Sequence, residues 1–192
     1  MQDFLFYLNL GWEHIISLDA LDHQLFVLVL VVVFSMKDWK KILWLITAFT
    51  IGHSVTLALS VLEIVRVPGS WVEFLIPLTI FITAADNILM KNRQQNLMKM
   101  NHYLAMFFGL IHGMGFANTA RMTMAQEQDL LLPLLGFNIG LELGQILVVA
   151  FILVLQWTVL GVFKASRKNW VLFISAGVFA LALQMTLERL PF

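Results

Sequence analysis

His14, Asp22, His23, His53, His112 and Glu142 are side chains of the types that hold divalent transition metals, and each borders or interrupts a long apolar stretch. Imidazole and carboxylate together suit nickel, cobalt, zinc or iron, whereas calcium and magnesium prefer all-oxygen shells. The chain has no cysteine, which excludes a thiolate site, a disulfide framework and a thiol redox motif. The segment GWEHIISLDALDHQLFVLVLVVVF, residues 11–34, sets Glu13, His14, Asp19, Asp22 and His23 directly before a greasy run. Asp19 and His23 are four apart and share a face if that run is helical, with Asp22 beside them.

On a soluble protein such a cluster would be ordinary solvated surface, but the rest of the chain makes it costly. Hydrophobic residues make up 60% of the 192 and charged ones only 12%, against about 45–50% and about 25% in an ordinary globular domain. Mean hydropathy is +0.85. The class this implies is all-α, a polytopic membrane helix bundle. Six stretches are long and apolar enough to span, at 20–36, 41–63, 71–90, 101–119, 130–160 and 169–188. The count becomes seven if residues 4–19 also span or re-enter, with a break expected near Gly11. Pro133 fits the entry turn of the fifth span. No linker, low-complexity tract or repeat divides the chain, so a single integral membrane domain over 1–192 is expected. The start MQDFLFYLNLGW has no basic n-region or small-residue cleavage site and reads as mature sequence. Zero net charge and the lack of a long basic block speak against a nucleic-acid partner.

Lys37, Lys40 and Lys41 follow the first span, Lys91, Arg93 and Lys99 the third, and Lys164, Arg167 and Lys168 the fifth. Those alternate loops hold nine of the twelve basic residues, while the opposite loops hold only Arg66 and Arg121. Because cytoplasmic loops collect Lys and Arg, the expected placement is multi-pass in the cell's inner membrane with both termini outside.

Helical rise then gives depth. His53 lies about 18 Å and His112 about 16 Å from the cytoplasmic start of their spans, and Glu142 about 18 Å below the outer start of its own. Asp22 and His23 fall at the outer end of the first span, and Asp86 and Asn87 near the cytoplasmic end of the third. An Asp at the centre of a spanning helix costs about 2.5–3.5 kcal/mol on insertion scales, so such groups require partners, water or an ion. Some neighbours are suitable: Thr50 stands one turn before His53, and Asn138, Glu142 and Gln145 share a helix face. Gly109, Gly113 and Gly115 surround His112 and permit close helix approach. His102 and Glu73 read as interfacial.

The pieces GWEHI…LDHQLFVLVL, TAFTIGHSVTLALS, FGLIHGMGFA and LLGFNIGLELGQ, in that order over most of the chain, resemble the HupE/UreJ family. These are small bacterial membrane proteins associated with nickel or cobalt uptake for hydrogenase and urease. The family pattern has five residues between a His and an Asp-His pair, whereas here seven residues separate His14 from Asp22 and Asp19 falls among them. The resemblance implies metal handling. The expected function is a permease for a divalent transition metal of the nickel or cobalt class. His14, Asp22 and His23 would capture the ion, His53, His112 and Glu142 would receive it, and Asp86 and Asn87 would form an inner exit. The competing expectation is an intramembrane metal-dependent hydrolase acting on a lipid or lipid-linked substrate, with Glu142 or Asp22 as general base, although HExxH is absent. A metal sensor or structural subunit is a third. Expected partners are the metal ion, the lipid bilayer, and a second copy of the chain or a metalloenzyme-maturation protein.

Overall fold

The computed structural model describes residues 2–89, 97–124 and 130–192, and these residues contain no strand. The helices are α1 (Gln2–Ile16), α2 (Leu21–Val31), α3 (Trp39–Val61), α4 (Gly69–Leu89), α5 (Leu97–Gly115), α6 (Ala117–Met124), α7 (Leu131–Trp157) and α8 (Arg167–Glu188). Four segments are long and apolar enough to cross a membrane: Met36–Val61, Gly69–Leu89, Leu131–Val162 and Arg167–Glu188. The bent pair Phe4–Ile16 and Leu18–Val31 makes a fifth. Helix α5, counterpart of the expected 101–119 span, is not among them, since Asn101, His102, Gly109, His112 and Gly113 dilute its apolar content. Lys91 and Arg93 of the expected third-span loop lie outside the described residues.

The first span is broken at Ser17–Ala20, and not at Gly11. Ser17 is extended (φ −63°, ψ 154°), a 3-10 turn follows at Leu18–Ala20, and the two halves meet at 60°. A break inside an apolar layer strands the last carbonyls of the first half, where water cannot reach them cheaply. Gln24 solves this: its Nε2 donates to Ile15 O (3.0 Å), Ile16 O (3.3 Å) and Ser17 O (3.0 Å). The far end of α2 is capped similarly, by Asn87 Nδ2 on Val29 O, Arg167 Nη2 on Val33 O and Gln156 Nε2 on Phe34 O.

Gly11 and Gly140 serve the pairing of α1 with α7. A Cβ on Gly11 would strike the backbone oxygen of Phe137, and one on Gly140 the backbone oxygen of Leu8. Phe4 opposes Gly136 and Leu8 opposes Gly140, so the numbers rise together and the two helices run parallel. The same holds for α3 and α5, where Gly109 meets the Phe49 backbone and Gly113 that of His53. Small residues are what allow such approach where lipid supplies no hydrophobic drive between helices. Helix α4 packs on α8 through Phe81 and Phe179, ring centroids 4.6 Å apart. Two apolar clusters result, one around Phe26, Phe49 and Ile80, the other around Tyr7, Ile15, Phe137 and Leu141.

Candidate metal centre

The seam between those clusters is where the histidines meet. His14 comes from α1, His23 from α2, His53 from α3 and His112 from α5. His23 is central, its ring centroid 4.7 Å from that of His14, 5.0 Å from His112 and 6.0 Å from His53. The centroids of His14 and His53 are 5.9 Å apart. His23, His53 and His112 are buried, and His14 is half-buried. Phe49 and Phe137 stand against His53, and Phe26 against His112, so the imidazoles are walled by rings.

The break in the first span is what makes this convergence possible. On an unbroken helix residues nine apart would be about 13.5 Å apart along the axis, yet the 3-10 turn folds His23 back against His14. Gly113 completes the set by letting α5 close on the His53 backbone.

Five ring nitrogens are buried with no hydrogen-bond partner among the described residues: His14 Nε2, His23 Nε2, both nitrogens of His53, and His112 Nδ1. A buried polar atom left unpaired costs about 1–3 kcal/mol, so a cluster of them calls for a ligand. Candidate ligand nitrogens of His14, His23 and His53 lie within 4.8 Å of one another. Metal–nitrogen bonds of about 2.0–2.1 Å need ligand separations of about 3–4 Å, which small ring rotations would supply.

His112 is outside that ligand-distance group but packs its ring on His23, with Thr79 on its other side. The Thr79 hydroxyl donates to Ile76 O at 2.7 Å and lies 3.4 Å from His112 Nε2, where the bond to Ile76 suits it to accept. With Nε2 as the donor to Thr79, the Nδ1 lone pair is left for a ligand, the arrangement typical of metal-binding histidines. Thr79→Val removes the acceptor and is expected to weaken metal binding about 10–100-fold with little change in helicity. Titration calorimetry beside circular dichroism checks it.

A cavity of about 220 Å³ leads to the cluster, lined in part by His14, Asp22, His23, His112, Glu73 and Arg189. Asp22 presents one oxygen to Arg189 Nη1 at 2.9 Å, while its Oδ1 is buried without a hydrogen-bond partner among the described residues. Asp19 also lines this cavity, but it is exposed on the 3-10 turn and does not continue the helical face of His23.

Other expected site residues lie elsewhere. Glu142 accepts from Thr47 Oγ1 at 2.7 Å, and Thr47 is about 9 Å of helical rise before His53, so this carboxylate stands apart from the imidazole group. Gln145 accepts from Thr50 Oγ1 at 3.0 Å. Asn138 donates to its own helix at Leu134 O, and its Oδ1 is buried without a partner. Asn87 is spent on Val29 O, with Asp86 beside it. Gln24, Thr79 and Arg189 were not expected from the sequence; only the adjacency of Gln24 to His23 was a signal.

A family model described as HupE / UreJ protein matches residues 1–189. Neither the curated proteins nor the solved structures contain a match to the chain.

Proposed function

The chain belongs to the HupE/UreJ family, and from that premise we propose that it is a permease for a divalent transition metal of the nickel or cobalt class. One observation carries the reading: imidazoles from four helices converge with five buried nitrogens that have no partner among the described residues. The cavity supplies the route in. Asp19, Asp22 and Glu73 line it and attract cations before the ion reaches neutral nitrogen ligands, where dehydration is compensated by coordination. His14, His23, His53 and His112 are the proposed ligands, with Asp22 handing the ion to them. A set drawn from four separate helices can also be dispersed, which a carrier needs for release.

Glu142 with Thr47, Gln145 with Thr50, and the Asp86–Asn87 end of α4 supply polar groups beyond the cluster. They are proposed to line the way out, toward the side bearing most of the Lys and Arg. In this reading the inner membrane holds the protein with both termini outside, on the strength of the basic loops, and α5 crosses as a sixth span alongside α3, to which it runs parallel.

Purified protein in proteoliposomes, given an inward gradient of Ni²⁺ or Co²⁺, is expected to accumulate the ion, and Asp22→Asn to slow entry while binding at the histidines persists. Wild-type protein that holds one non-exchanging ion and moves none under any imposed gradient would overturn transport.

A further inference from the structure

Arg189 follows the last turn of α8 and reaches across to α2, where its Nη1 meets Asp22 Oδ2 at 2.9 Å. The side chains are only 35% and 18% exposed, so the pair is partly withdrawn from water. It stands on the wall of the cavity that also bears His14, His23 and His112, and Asp22 immediately precedes His23. A fixed cation beside the path of an incoming cation is a barrier unless it can be moved. We propose that Arg189 is a tethered competitor: its guanidinium occupies the Asp22 carboxylate until a divalent metal displaces it, and it returns when the ion has passed.

The charges explain the selectivity such a device gives. Among the described residues, Asp19, Asp22 and Glu73 oppose Arg189 as the one Lys or Arg on this wall. A monovalent ion displacing the guanidinium exchanges one positive charge for another and gains nothing from the neutral imidazoles. A divalent transition metal has twice the Coulomb attraction to the carboxylates and then gains nitrogen ligands. Arg189 would thus filter sodium and potassium without a narrow pore. The inference rests on the metal-permease reading, and its test separates the two.

Co²⁺ is the probe, since its visible absorption reports coordination, and association is followed by stopped flow in detergent. Wild type should bind Co²⁺; no binding would overturn the metal reading and the gate with it. With binding established, Arg189→Gln should accelerate association about tenfold or more and let Na⁺ compete more effectively, while Arg189→Lys stays near wild type. Because the chain has no cysteine, Arg189→Cys can be modified at that position alone. A trimethylammonium-ethyl methanethiosulfonate should slow Co²⁺ association again, whereas a neutral reagent of similar size should leave it fast. Association unchanged in Arg189→Gln, or slowed equally by both reagents, would reduce Arg189 to an anchor for the end of α8.

Discussion

His53→Leu is expected to lower affinity for Ni²⁺ or Co²⁺ by more than a hundredfold while leaving the metal-free protein as stable as wild type or more so. Both ring nitrogens of His53 are buried without a partner among the described residues, and its side chain is fully enclosed by neighbours that include Phe49 and Phe137. A histidine retained for structure would be hydrogen-bonded, and removing it would destabilise the fold. An unpaired one burdens the fold, and an apolar side chain of similar size relieves that burden. Losing a direct ligand should also exceed the roughly 10–100-fold cost of losing an outer-shell partner. Calorimetric titration and thermal melting of the metal-free protein give the two readouts, with His102→Ala as the control that keeps its metal. Retained affinity, or a large drop in metal-free stability, would remove His53 from the ligand set.

Gly140→Val should have the largest effect on the fold. Its Cβ would enter the backbone oxygen of Leu8, and neither element can yield by rotating a side chain. Overpacking usually costs about 1–3 kcal/mol, occasionally more, and a rigid backbone obstacle places this case at the upper end. For a chain of this size that is a fall of about 6–12 °C in melting temperature. Metal affinity should fall too, because α1 carries His14 and must retreat from α7. Gly177→Ala is the matched control, since nothing lies within 4 Å of a Cβ there. Equal melting temperatures for the two variants would show that the α1–α7 contact is not what holds the first helix.

Composition and apolar length were enough to read the helical membrane class, and helical rise put His53 and His112 at similar depth. The expected outer set of His14 and His23 was held apart from them, and the four rings meet only because the first span breaks. The details of the first span did not follow. Gly11 looked like a break because glycine is a poor helix former, but its missing Cβ serves the approach of α7. The true break at Ser17–Ala20 depends on Gln24 capping three carbonyls, a contact that hydropathy does not register. Glu142 seemed to belong with the histidines because depth alone was estimated. How α7 seats on α3 decides otherwise, pairing Glu142 with Thr47, about 9 Å of helical rise from His53. Arg189 carries no signal in the sequence, and its reach to Asp22 is visible only once α8 is placed beside α2.

The parallel pairing of α1 with α7 also sets an order of assembly. The two helices are separated by about 115 residues of chain, and at roughly 5–20 residues per second the partner of α1 emerges on the order of ten seconds later. In that interval the grooves at Gly11 and Leu8 have nothing to fill them, and His14 has no fixed position. The helices that carry His23, His53 and His112 are all synthesised earlier, so the metal centre can close only when α7 arrives. A nascent chain is therefore unable to hold metal tightly before its bundle is complete, and truncation anywhere before Leu131 should leave a protein that inserts but does not bind.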